Sequence, residues 1–384
     1  MNRDAEFDII VYGATGFTGR LVAEYLAQRY GVGGEVKWAM AGRSADKLAA
    51  VRDEIGAPKD TPLVVADAED AASLKAMVDR AKAVLTTVGP YQLYGDALIA
   101  ACAEAGTDYL DLSGEPNWMA ATIAAHHETA KRTGARILHS AGFDSIPFEL
   151  GVFFAQETAK AKLGGPVPRV KGRVRSMRGG LSGGTAASGR ATMAAIMKDP
   201  SLMALMANPF ALTPGFTGPE QPRGDQPEHD PDMDAQVGPF MMAAINTKNV
   251  HRSNLLMGHP YGTDFVYDEM SVVDPKAPAS FAMSAEGGPQ PGEGPSKEER
   301  DAGFYDLVFI GIAKDGRKVK VSVHGDRDPG YGSTSKLIAE TAICLVKDAP
   351  EVGGGVLTPG AALGGRLVDR LQKNAGLTFK VETA

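Results

Sequence analysis

Cysteine is scarce: the 384 residues contain two, Cys102 and Cys344. They lie too far apart for a zinc-binding or dithiol spacing, so no metal centre and no thiol redox site is expected. Both fall inside apolar helical patterns and read as buried thiols. Basic residues are not in excess either. Forty Lys and Arg against 47 Asp and Glu leave a net charge of −7, which argues against a nucleic-acid partner. No apolar run approaches the roughly 20 residues of a membrane-spanning helix. The opening "MNRDAEFD" is charged and lacks the apolar core of a secretion signal. A reducing, cytoplasmic setting is expected, with membrane-surface contact left open. What remains is an ordinary soluble composition, 43% hydrophobic and 23% charged, in a chain long enough for two domains.

The first 150 residues alternate strand and helix. "FDIIVYG", "VKWAMAG", "TPLVVAD", "AVLTTVG", "TDYLDLSG" and "ARILHSAG" are six short apolar strands. Helical patterns separate them, including "FTGRLVAEYLAQRY" and a segment opened by Pro116. This order predicts an α/β fold with a Rossmann-type, doubly wound parallel sheet. Residues 151–384 change character. "RVKGRVRSM" reads as a half-exposed strand, "GGLSGGTAASG" as a glycine-rich loop, and "RATMAAIM" and "SLMALMA" as short helices. Thirteen of 24 prolines lie between Ala207 and Arg300, with strand-like islands such as "TDFVYDEMSVV" among them and a solvated loop at "AEGGPQPGEGPSKEERDAG". A hairpin turning at Asp315-Gly316 follows, then two helices and a last strand, "LTFKVE". The second part is expected to be α+β with a mostly antiparallel sheet, carrying the substrate and any dimer contact, its C-terminal helix packing back on the first part.

The stretch "VYGATGFTG" has the strand before it and the helix after it that a dinucleotide-binding turn requires. Gly13 allows the tight turn, Gly16 lets the backbone approach a diphosphate, and Gly19 lets the helix pack on the strand. The turn's exposed N–H groups and the helix dipole favour an anion there, with Ala14, Thr15, Phe17 and Thr18 also in the cofactor-binding set. The second strand ends in "AGRSADK" and has no acid to accept from a ribose hydroxyl. Arg43 offers a planar fork for a 2′-phosphate, Ser44 adds a hydroxyl as well as a helix cap, and Lys47 lies a turn further on. NADP(H) is therefore expected over NAD(H). Asp67 ends the third strand and reads equally as a partner for the adenine amine or as a helix-initiating acid.

The later loops at the same sheet edge supply the chemical candidates. Gly89 and Pro90 make a sharp exit that should pass over the nicotinamide ribose. Tyr91 and Tyr94 follow, with Tyr94 as a proton donor and packing as the plainer role for each. Asp111 and Glu115 after the fifth strand could orient a ribose or donate a proton, and Glu115 also reads as a helix cap. Asp144 and Ser145 precede a helix, with Ser145 an N-cap before it is a catalytic group.

"VYGATGFTG", "AGR", "GPYQLYGDALIAACAEAGTDYLDLSGE", "GFDSIPFELG", "SGGTAASG" and "GGVLTPGAALGGRLVDRLQKNAGLTFKVE" together resemble the saccharopine dehydrogenase-like oxidoreductases. The nearest branch is that of the trans-acting enoyl reductases. The resemblance runs from Ile9 to Glu382. It implies a Rossmann domain specific for NADP(H), a second domain holding the substrate, and reduction of a double bond in a lipid or polyketide intermediate, free or on a carrier protein. Gly13, Gly16, Gly19 and Arg43 match its cofactor positions. No catalytic residue carries over, and residues 213–239 match no pattern.

Three functions follow. The first is an NADP(H)-dependent reductase of an apolar substrate. Met193, Met197, Met203, Met206, Met233, Met241 and Met242 suit an adaptable apolar surface, although core filling is the plainer account. Tyr94, or Ser182, Thr185 or Ser188, would serve the developing enolate. The second is a dehydrogenase of an amino or keto acid, for which Arg173, Arg175 and Arg178 would bind carboxylates unless they form a solvated basic face. The third is an NADP(H)-binding scaffold without turnover.

Overall fold

A computed structural model of the chain describes residues 5–143, 145–179, 183–273 and 292–382, with the side chains of 183–186 outside the description. Asp144 and Ser182, the Thr185 side chain and part of the expected loop at 285–303 therefore lie outside the described residues.

Six strands of the first part alternate with helices: β1 (Phe7–Tyr12), β2 (Trp38–Gly42), β3 (Leu63–Val65), β4 (Ala81–Thr86), β5 (Asp108–Leu110) and β6 (Arg136–Leu138). The intervening helices are α1 (Phe17–Tyr30), α2 (Ala45–Glu54), α3 (Ala71–Val78), α4 (Tyr91–Tyr94), α5 (Asp96–Ala105) and α6 (Pro116–Thr133). Then come α7 (Ile146–Leu163), β7 (Arg169–Arg178), α8 (Gly183–Lys198), α9 (Leu202–Ala207), β8 (Glu228–Asp230), β9 (Ala235–Pro239), α10 (Ala243–Leu256) and β10 (Val266–Val272). The chain closes with α11 (Lys297–Asp301), β11 (Phe304–Ile312), β12 (Lys318–Gly325), α12 (Thr334–Ile343), β13 (Gly355–Leu357), α13 (Pro359–Asn374) and β14 (Leu377–Val381).

The first sheet is wholly parallel, in the order β13-β6-β5-β4-β1-β2-β3. Its strands are nearly continuous apolar runs because helices cover both faces. Ile9 and Val11 point into one core with Leu26, Leu48 and Ile338; Ile10 and Tyr12 point into the other with Leu74, Ile99 and Trp118. Local signals set the helix ends. Ser44 and Asp70 cap α2 and α3, and Gly106, Gly134 and Gly164 end α5, α6 and α7 in the left-handed conformation. The seventh strand, β13, comes from near the C-terminus, so a cut at residue 150 leaves this sheet one strand short. Tyr25 and Tyr30 of α1 also donate to the buried Glu340 of α12, at 2.5 and 2.6 Å.

The second sheet runs β14-β12-β11-β7-β10-β9-β8 and is antiparallel except for the β7–β10 pair. The expected hairpin is β11–β12. Two expectations fail. Most of the glycine-rich stretch is helical, as the start of α8. And α10 rises inside the proline-rich region, where no helix is expected. It is buried on every side, so its residues show no apolar stripe.

Candidate active site at the edge of the parallel sheet

In a parallel sheet all strands end on one edge, and that edge gathers the candidates. Gly13 follows β1 with φ of 88°, a conformation that costs glycine nothing. A Cβ on Gly19 would lie 2.2 Å from the Gly13 carbonyl oxygen, so α1 starts this close to the strand only because Gly19 lacks one. The N–H groups of Phe17 and Thr18 find no acceptor among the described residues and point out of the first turn of α1. Thr87 packs against the same turn, its hydroxyl 3.4 Å from the Gly13 carbonyl oxygen. The result is a cradle of bare backbone at a helix N-terminus, fitted to a diphosphate.

Beside it, Gly42 pairs with Val65, which brings the ends of β2 and β3 together. Arg43 is exposed and pairs with no carboxylate among the described residues. Ser44 accepts from the Lys47 N–H at 3.3 Å as the cap of α2. Asp67 does not start α3; Asp70 does, accepting from Ala72 and Ser73. Asp67 instead closes a local turn onto the Glu69 N–H at 3.1 Å.

Past β4, Gly89–Pro90 is a cis peptide that leads into α4. The two tyrosines separate here. Tyr91 is buried, stacks on Trp118 and spends its hydroxyl on backbone, donating to the Thr86 carbonyl and accepting from Leu112 N–H. Its place is structural. Tyr94 is 44% exposed. Glu115 stands at the start of α6 but does not cap it. Its carboxylate instead accepts from the N–H groups of Tyr91 and Gln92, at 3.0 and 2.8 Å, and from the Ser188 hydroxyl at 3.0 Å. Burial raises its pKa, against the pull of these donors. Gln92 in turn donates to Thr192 at 3.1 Å. Two side chains of α8 are thereby tied to the loop that follows the cis-proline.

Asp111 and His139 meet between β5 and β6. The imidazole Nδ1 lies 2.7 Å from the Asp111 carboxylate and Nε2 lies 3.0 Å from the Thr122 hydroxyl. Asp111 also accepts from the Ser113 and Ser140 N–H groups. The pair is sealed from solvent and fixes both loops. His139 escaped the sequence reading; its position directly after the sixth strand was the available signal. Ser145 occupies the N-cap position of α7, yet its hydroxyl makes no cap bond. It accepts from Asn249 at 2.6 Å and donates to Asn246 at 3.3 Å. It is buried, and both bonds tie it to α10.

Of the three arginines considered on β7, two are not free cations, while Arg178 at the strand's end is exposed and has no ion pair among the described residues. Arg173 is 1% exposed and held by Asp230 and Asp268 at 2.7 and 2.8 Å, while Arg175 is paired with Asp306 and Glu382. The methionines depart from core filling as well: Met193, Met197, Met203 and Met241 are exposed, and the other three are half-buried. Cys102 and Cys344 are free and buried, as expected. No helix among the described residues is long and apolar enough to cross a membrane.

A Rossmann sheet with an anion cradle on its first turn, joined to a second mixed sheet, defines a dinucleotide-dependent oxidoreductase. Residues 9–138 match the saccharopine dehydrogenase NADP binding domain. A provisionally named trans-acting enoyl reductase of Mycobacterium tuberculosis is 38% identical over 403 residues, covering 95% of both chains. The trans-acting enoyl reductase of Mycobacterium ulcerans is 36% identical over 404 residues, covering 95% of this chain and 96% of its own. The chain belongs to this trans-acting enoyl reductase group of saccharopine dehydrogenase-like proteins, and it is an NADP(H)-dependent oxidoreductase. Apo saccharopine dehydrogenase (L-Glu forming) from Saccharomyces cerevisiae shares the fold with a TM-score of 0.53, at 11% identity over 98% of this chain and all of that one.

Proposed function

We propose that the protein reduces the carbon–carbon double bond of an α,β-unsaturated acyl intermediate of the lipid or polyketide type, using NADPH. The observation that carries this reading is similarity to trans-acting enoyl reductases along 95% of the chain. The site agrees with it. A substrate with several carboxylates needs several unpaired cations, and of the three arginines considered Arg173 and Arg175 are committed to Asp230, Asp268, Asp306 and Glu382, which leaves Arg178 alone. Exposed methionines on α8 and α9 suit an apolar chain.

The residues that would hold NADP(H) are Gly13, Ala14, Thr15, Gly16, Phe17, Thr18 and Gly19 at the diphosphate, Arg43 and Ser44 at the 2′-phosphate, Asp67 toward the adenine, and Gly89 and Pro90 along the nicotinamide ribose. When bound, the cofactor supplies a hydride to the substrate's β-carbon. The chain must then meet the charge that develops on the carbonyl oxygen and deliver a proton to the α-carbon. Among the described hydroxyls considered for catalysis, those of Tyr91 and Ser145 are spent inside the fold and that of Ser188 donates to Glu115. Tyr94 is the one presented to solvent beside the cis-proline loop, and we assign the donor role to it.

NADPH consumption with a panel of medium- and long-chain enoyl thioesters, set against keto acids plus ammonium, tests the reading. Turnover of the thioesters alone is expected. Turnover of the keto acids alone, or tight NADPH binding with no turnover at all, overturns it. Tyr94→Phe should lower kcat by about 10²-fold or more while NADPH binding holds, the usual scale for a lost proton donor. An unchanged kcat removes Tyr94 from the mechanism.

A further inference from the structure

Phe17 is the first residue of α1, and its N–H opens the anion cradle. Its ring does not face solvent alone. The ring of Tyr331 meets it edge-on at 5.2 Å, and a chain segment from the second part presses on it at Gly294. A Cβ on Gly294 would stand 2.4 Å from the Phe17 ring, so only glycine permits this approach. Immediately after comes the short α11, started by a capping box between Ser296 and Glu299. It brings Arg300 to the same ring, with the guanidinium carbon 5.7 Å from the centroid. Arg20 sits 5.9 Å from that centroid but is paired with Glu54 at 2.8 Å.

Arg300 has no such partner. It is half-buried, and its guanidinium's one hydrogen bond to a described residue goes to the Pro295 carbonyl at 2.7 Å. Two carboxylates feel its charge, and both are otherwise occupied. Asp301 is paired with Lys297 and Arg327. Asp328 caps the turn at Tyr331 and Gly332. The remaining donors of Arg300 are not sealed from solvent, so an anion arriving at the turn can take them in place of water. The Phe17 ring that Arg300 covers belongs to the residue whose N–H, with that of Thr18, opens the α1 N-terminus.

We infer that Arg300 is a second-domain ligand of the cofactor's diphosphate, placed by the Gly294–Phe17 contact. The inference rests on the assignment of the glycine turn as the diphosphate cradle, and it is independent of the substrate. It gives the two arginines different duties. Arg43 answers the 2′-phosphate that distinguishes NADPH, and Arg300 answers the diphosphate common to NADPH and NADH. The cofactor site is then closed by both halves of the chain.

Fluorescence titration of Arg300→Met and Arg300→Lys with NADPH and with NADH, no substrate present, tests this. The Met variant should lose about 10–100-fold for both cofactors by a similar factor, as for a lost charged hydrogen bond, with Lys recovering part of it. Inorganic diphosphate should compete with NADPH on the native protein and far less on the Met variant. Loss confined to NADPH, or a lowered melting temperature with both dissociation constants unchanged, overturns the inference. Should the Met variant not fold, the Lys variant decides: unaltered binding of both cofactors and of diphosphate counts against it. Failure of the enoyl thioester assay leaves these binding results intact, so the two readings fail separately.

Discussion

The two sheets have the same number of strands and opposite chemistry inside. In the parallel sheet, β1, β2 and β4 bury Ile, Val, Leu, Met and Ala, and the buried charges sit where strands begin, Asp8 between Lys82 and Lys347 and Asp108 of β5 with Arg136 of β6. In the mixed sheet Arg173 lies at the centre of β7 between two aspartates, and Lys171 holds Asp230 and Asp232 at 2.9 and 2.6 Å. Packed with it is α10, where seven of nine buried residues are polar: Asn246, Lys248, Asn249, His251, Arg252, Ser253 and Asn254. An apolar core gains roughly in proportion to its buried area and tolerates exchange of like for like. A buried ionic core contributes little net stability, yet each partner depends on the other. The first sheet should therefore forgive substitutions that the second does not.

Arg173→Met breaks that comparison most directly. It leaves Asp230 and Asp268 short of a buried counter-charge and should cost about 3–5 kcal/mol in urea unfolding. Ile10→Val in the parallel sheet should cost only about 0.5–1.5 kcal/mol. Equal losses would mean that the buried charges are hydrated and the contrast is empty.

The same contrast explains what could be read from the sequence. The first sheet was legible because each strand is an apolar run broken by glycine or a helix cap, and the α1 turn carries its three glycines in order. The strand β13 was not: three residues, Gly355–Leu357, are too few to show a pattern. The helix α10 was not, because polar residues on every side leave no period to find; their partners come from elsewhere, as when Arg252 donates to the carbonyls of Leu212 and Val356. The opening of α8 read as a loop because glycine and serine favour one, while Ser188 and Thr192 hold the helix through Glu115 and Gln92. In the site, the glycine turn was visible locally. The Asp111–His139 pair was not, since its members stand 28 residues apart and meet only because β5 and β6 are neighbours.

Buried acids on α7 and β10 give the fold a pH dependence. Glu149 accepts from Ser253 and from the Gly360 N–H, and burial pushes its pKa up to about 8. Glu269, between Tyr267 and Asn246, is pushed up to about 8 for the same reason. In the unfolded chain such carboxyls release their protons near the ordinary glutamate value of 4.5. The folded state binds more protons between those limits, so stability is full below about pH 4.5 and falls as pH rises toward about 8. Glu149→Gln keeps an acceptor for Gly360 and removes the titration. The slope of unfolding free energy against pH should become shallower in that window. A slope identical to that of the native protein would mean that Glu149 is ionised in the fold.

The last test sets one arginine against another. Arg173 is buried and fully paired; Arg43 is exposed, unpaired among the described residues, and lies where the second strand of the cofactor sheet ends. Removing Arg43 leaves no buried charge behind, so Arg43→Ala should leave unfolding almost unchanged. Its effect should appear only with the cofactor. NADPH binding should weaken by about 1.5–3 kcal/mol, the scale of a hydrogen bond to a charged group, while NADH binding holds. Arg43→Lys should recover only part, because a single ammonium lacks the planar fork that meets a phosphate with two donors. Equal weakening of NADPH and NADH would place Arg43 at the diphosphate instead, and the division of labour with Arg300 would fail. Weakening of NADPH alone, with stability untouched, would show that the charge of Arg43 is held in reserve for the ligand, whereas that of Arg173 is consumed by the fold.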